Sequence, residues 1–116
     1  MSITVYGIKN CNTMKKTFEF LDSKGVEYDF VDYKKQKPTK DLLNGFLEKT
    51  ELASLVNKKG MTYRKMDENQ RADLEKEVTA IPILIEHSSM IKRPIISYPN
   101  GEITLGFDPE SIEKQL

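Results

Sequence analysis

The sequence predicts an α/β fold in which a βαβ half and a ββα half share one mixed sheet, with a helical insertion between the two halves. Three observations carry this expectation. Residues 3–33 read as strand, helix and strand. Residues 91–116 read as two strands joined by a tight turn and followed by a short helix. The stretch between them, about 39–90, has helical rather than alternating patterning. At 116 residues the chain fits one domain, 1–116, large enough for a core. The sheet-bearing core is placed at about 1–38 and 91–116, and the insert at about 39–90.

Ile3 and Val5 alternate with Thr4 and Tyr6, which predicts the first strand over 3–6. Gly7 and Asn10 then supply a tight turn. Thr17–Ser23 predicts a helix, closed by Lys24 and by Gly25 at the C′ position. Residues 26–33 alternate over eight positions and predict a strand parallel to the first, because a helical crossover joins the two. Pro38-Thr39 opens a helix over about 39–49, with Leu42, Leu43, Phe46 and Leu47 on one face. Leu52, Leu55 and Val56 suggest a short helical turn, and 61–66 is ambiguous, with Tyr63 and Met66 as candidate core anchors. Asp67–Val78 predicts a charged helix with acidic residues at its start. Thr79 then caps another, which holds Pro82 in its first turn and runs to about Met90 with His87 inside it. A strand over 91–98, a turn at Pro99-Asn100-Gly101-Glu102 and a strand over 103–107 predict an antiparallel hairpin. Asp108 or Ser111 caps a final helix carrying Ile112 and Leu116. This order is the thioredoxin-like layout, in which the turn after the first strand meets the proline before the third.

Cys11 is the single cysteine, and it falls between strand and helix, at or just before the first helical turn. Unpaired amides and the positive end of the macrodipole stabilise an anion there, and a thiolate is such an anion. Helix N-termini are among the places where a cysteine pKa falls below about 8.5. Lys9, Lys15 and Lys16 add positive charge nearby. His87, by contrast, reads as a surface or packing residue rather than a general base.

Composition narrows the function classes. The 18 basic and 18 acidic residues cancel, which argues against a nucleic-acid binder driven by phosphate contacts. One cysteine excludes an internal disulfide and fits a reducing compartment. One cysteine and one histidine predict no metal site of nitrogen and sulfur ligands. No apolar run approaches the roughly 20 residues of a membrane span. The first residues run straight into a strand with no charged and apolar leader, so no signal peptide is expected and a cytoplasmic location is.

Gly7-Ile8-Lys9-Asn10-Cys11-Asn12-Thr13-Met14-Lys15-Lys16, Asp32-Tyr33-Lys34-Lys35, Gly60-Met61-Thr62-Tyr63-Arg64-Lys65, Ile91-Lys92-Arg93-Pro94-Ile95 and Leu105-Gly106-Phe107 together resemble the arsenate reductase (ArsC) family. The likeness is to its YffB-like and Spx/MgsR-like branches, and it runs through the whole chain in order. It implies that Cys11 is the nucleophile, that Arg93 is one of the oxyanion-holding arginines and that Pro94 is the family's cis-proline. Two further arginine positions of arsenate-reducing members fall on Asn57 and Phe107, while Met14 and Lys15 replace a serine and an arginine of the cysteine loop. Lysine does not reproduce the planar, bidentate geometry of guanidinium. The resemblance therefore implies a glutathione-dependent monothiol reductase, with glutathione as co-substrate and no bound cofactor, in preference to arsenate reduction. Lys9, Asn10, Asn12, Lys15, Arg64, Arg93 and Pro94 are the candidate contacts for glutathione or a small thiol or disulfide substrate. The alternative it implies is an Spx/MgsR-like regulator that binds RNA polymerase, here without a Cys-x-x-Cys switch because Met14 stands at the second position.

Overall fold

The computed structural model describes residues 2–116. In chain order the elements are β1 (Ile3–Gly7), α1 (Asn12–Ser23), β2 (Tyr28–Asp32), α2 (Lys40–Leu47), α3 (Leu52–Leu55), α4 (Met61–Arg64), α5 (Glu68–Ala72), α6 (Glu77–Glu86), β3 (Ile95–Ser97), β4 (Ile103–Leu105) and α7 (Pro109–Gln115). They form two compact units. One runs to Gln36 and takes in Arg93–Leu116, and the other is Lys37–Lys92. Among the described residues no helix is long and apolar enough to cross a membrane.

The first unit holds a four-stranded mixed sheet in the order β2-β1-β3-β4. β1 pairs parallel with β2, from Ile3 opposite Tyr28 to Gly7 opposite Asp32. It pairs antiparallel with β3, and β3 pairs antiparallel with β4. This is the predicted α/β, thioredoxin-like arrangement. Val5, Ile96 and Tyr98 meet Met14 and Leu21 of α1 and Ile112 of α7 in one apolar cluster.

α1 begins at Asn12 rather than at the predicted Thr17. Its buried residues Met14, Thr17 and Leu21 recur at helical spacing, and Thr17 is sheltered because its hydroxyl donates back to the Thr13 carbonyl at 2.8 Å. The C-terminus closes as the sequence predicts. Gly25 takes φ 68°, its amide donates to the Asp22 carbonyl at 3.0 Å, and the Val26 amide donates to the Leu21 carbonyl at 3.2 Å. Gly7 has a different reason from the predicted one. It is not in the left-handed region; instead, a Cβ there would lie 2.6 Å from the Met14 sulfur.

The second half of the sheet is shorter than the pattern suggests. Only Ile95–Ser97 of the predicted 91–98 is strand, because Pro94, joined to Arg93 by a cis peptide, has no N–H for a ladder. Gly106, at φ 76°, ends β4 and donates to the Pro94 carbonyl at 2.8 Å.

In the second unit, Thr39 caps α2 by accepting from the Leu42 amide at 3.1 Å. Val56 and Ile91 form an isolated antiparallel bridge. The ambiguous stretch at 61–66 contains α4. The predicted helix over 67–78 is two pieces. α5 opens on a capping box of Asp67 and Gln70 and stops at Ala72, and α6 starts at Glu77. Thr79 is not the cap of α6; from its first turn it donates back to the carbonyls of Asp73 and Lys76, satisfying acceptors at the break. Pro82 therefore lies inside α6 rather than in its first turn, and His87 follows the helix as its exposed C-cap.

Candidate functional site

The site is assembled by the crossing of β1 and β3. Their register pairs Tyr6 with Ile95, so the loop after Gly7 and the residues before Ile95 leave the sheet at the same end. Cys11 lies on that loop as the N-cap of α1, in extended conformation at φ −147° and ψ 134°. Its amide donates to the Lys9 carbonyl at 3.1 Å, and its carbonyl accepts from the Lys15 amide at 3.0 Å. The first bond folds the loop, and the second starts the helix.

Cys11 is half-buried against the core of the first unit. That burial works against its ionisation, but the opposing effects are greater in sum. The amide of Met14, then that of Thr13, then the charge and hydrogen bond of the Arg93 guanidinium favour the thiolate, and the pKa falls below its ordinary value. Arg93 is itself half-buried, directly before the buried, cis-linked Pro94.

The predicted site residues divide. Cys11, Arg93 and Pro94 come together at one end of the sheet. Lys9, Asn10, Asn12 and Lys15 lie on the same loop and first turn with their side chains exposed. Arg64 belongs to the second unit, exposed at the end of α4, where its carbonyl accepts from Arg71 at 3.0 Å. Asn57 is also in the second unit; its side chain folds a turn by accepting the Lys59 amide at 3.2 Å. Phe107 packs edge-on against Phe20, with ring centroids 5.9 Å apart. An aromatic ring held in the core brings no charge to the cysteine. Composition and spacing point to the anion-stabilising position of Cys11, but the Thr13 and Met14 amides emerge as its partners only once the start of α1 is known.

A model of the ArsC family matches residues 6–115. The chain belongs to the ArsC family. An uncharacterised protein of Haemophilus influenzae is 36% identical over 111 residues, covering 96% of each chain. A solved structure of a YFFB protein superposes with a TM-score of 0.91 at 38% identity, covering 99% of each chain. The regulatory protein MgsR of Bacillus subtilis is 23% identical over 114 residues, covering 97% of this chain and 88% of its own. In this ArsC-family chain, a sulfur whose anion is favoured by two amides and a guanidinium is suited to nucleophilic attack, and equally to leaving as a thiolate.

Proposed function

We propose that the chain is a glutathione-dependent monothiol oxidoreductase acting in a reducing, cytoplasmic setting. The observation that carries this reading is the thiolate-favouring environment of Cys11, made by the Met14 and Thr13 amides and Arg93. Membership of the ArsC family supports thiol chemistry at this position. The Cys11 thiolate attacks one sulfur of a glutathione-containing disulfide, forming a Cys11–glutathione bond as the second sulfur leaves as a thiolate. A glutathione thiolate then attacks the glutathione sulfur of that adduct, releasing glutathione disulfide and restoring the Cys11 thiolate. In sum one glutathione thiolate enters per mixed disulfide: its sulfur is oxidised into glutathione disulfide as the substrate's other sulfur is reduced and leaves as a thiolate. Glutathione supplies the resolving thiol that a chain with one cysteine lacks. Arg93 is the strongest candidate for a glutathione carboxylate, with Lys9 on the exposed loop and Lys15 at the start of α1 as weaker point charges.

The test combines a coupled glutathione assay on a small mixed disulfide with mass spectrometry of the chain. Turnover and a glutathione adduct on the native chain, both lost in Cys11→Ser, support the reading. Turnover that persists in Cys11→Ser, or a thiol that alkylates only as an ordinary one does, overturns it. The likeness to the regulatory protein MgsR supports a second reading, a regulatory role; RNA polymerase is the partner that this reading proposes. Binding of the polymerase that is indifferent to Cys11→Ser, with no turnover, would favour it.

A further inference from the structure

We propose that the groove between α2 and α6 docks an amphipathic helix of a partner protein, one whose apolar stripe is flanked by both acidic and basic residues. Both helices belong to the second unit. α6 reads Glu-Val-Thr-Ala-Ile-Pro-Ile-Leu-Ile-Glu, apolar through its middle on every side. A helix of that kind is ordinarily buried all round. Here Ala80, Ile81 and Leu84 are buried, whereas Val78 is 87% exposed, Pro82 is exposed and Ile85 is half-exposed.

Val78, Ile81, Pro82 and Ile85 are spaced i, i+3, i+4 and i+7, the seam that one helix offers to another. The four residues floor a cavity of about 490 Å³, walled on the α2 side by Lys40 and Asn44. Its lining runs from Glu77 to Glu86, about 13 Å along the helix at 1.5 Å per residue, which matches some nine residues of a docked helix. Pro82 has no N–H for the carbonyl of Val78, which leaves an acceptor on the exposed part of the seam.

Charge selects among the helices that would fit. The rim carries Glu77 and Glu86 from α6 and Lys40 from α2. Lys37 sits 3.3 Å from the Glu86 carboxylate in an exposed ion pair. A wholly basic helix would meet Lys40, and a wholly acidic one would meet Glu77. A helix with both signs beside its apolar stripe satisfies both, as in the helix-in-groove mode of recognition.

The test is a titration of the full chain by fluorescence anisotropy with three labelled peptides of about 16 residues, long enough to be helical. All carry the same leucine stripe, flanked by lysine and glutamate, by lysine alone, or by glutamate alone. The mixed peptide is expected to bind tightest. Val78→Glu, at a site too exposed to disturb folding, should weaken it by about tenfold or more. Lys40→Glu should turn the preference to the all-lysine peptide, and Cys11→Ser should change nothing. Equal binding of the three peptides, no binding of any, or indifference to Val78→Glu overturns the proposal. Self-association that Val78→Glu abolishes also overturns it, by making a second copy the occupant.

Discussion

Gly7 is the position at which a single added methyl group tests the most of this structure. An alanine Cβ would lie 2.6 Å from the Met14 sulfur and 2.7 Å from its terminal methyl. Carbon–carbon contacts settle near 3.5–4.0 Å, so Met14 must retreat by about an ångström. Its side chain is 0% exposed and clustered with Val5, Leu21 and Ile96, so its flexible end retreats against packed neighbours rather than into solvent. Overpacking of this kind costs about 1–3 kcal/mol. With an unfolding entropy near 2.1 cal/mol/K per residue, the 116-residue chain should lose roughly 4–12 °C in Tm for Gly7→Ala. The same change has a chemical readout, because the Met14 amide is the largest of the groups that favour the Cys11 thiolate. Displacing Met14 should raise the midpoint of iodoacetamide alkylation along with lowering Tm. Met14→Ala costs about 2–5 kcal/mol alone, but adding Gly7→Ala to it should cost much less than in the native chain. The two changes are thus coupled in a double-mutant cycle of urea unfolding. If Gly7→Ala leaves both Tm and the alkylation midpoint unchanged, or if the two changes are simply additive, the packing argument fails.

Arg93→Ala should raise the alkylation midpoint of Cys11 while leaving it below that of a free cysteine, since the two amides remain. The folded pKa of Cys11 lies below its unfolded value, so the unfolded chain binds more protons between the two. The stability of the native chain relative to Cys11→Ser should therefore rise with pH across that window. It should level off above the unfolded value of about 8.5, and the gain should vanish as pH falls through the folded pKa; urea titrations at stepped pH measure it. Asp67→Ala removes one arm of the α5 capping box and should cost about 0.5–2 kcal/mol in urea unfolding, with no change at Cys11. Thr104→Val strands the hydroxyl of Tyr98, a residue 4% exposed, which lies 2.8 Å from the Thr104 hydroxyl. That should cost about 1–3 kcal/mol, and adding Tyr98→Phe should restore much of it.

What the sequence disclosed, and what it withheld, follows from how far each signal reaches. β2 was legible because Tyr28, Phe30 and their neighbours alternate along a strand whose residues are packed on one side. The close of α1 was legible because Gly25 satisfies a local rule. The start of α1 was hidden by Asn12 and Thr13, polar residues that suit a turn as well as a first helical turn. Met14 belongs to the helix only because Gly7, seven residues earlier, leaves room for it. Splitting 67–78 into two helices depends on Thr79 reaching back to carbonyls at the break, a bond that no periodicity announces. At the candidate site, the position of Cys11 was readable from strand–turn–helix punctuation. Its relation to Arg93 depends on the register of β1 against β3, which pairs residues some ninety positions apart.

The place of Cys11 at the head of α1 has a consequence for the lifetime of anything bonded to it. The first-turn amides of a helix want a negative partner, and here the only one offered by the cap is the sulfur. The first turn has no acidic residue to take over that role. Any bond that Cys11 makes to a second sulfur extinguishes the charge and leaves those amides facing a neutral atom. The adduct is then the strained partner of the pair and the free thiolate the relaxed one. The fold thus favours letting go of a bonded thiol over holding it.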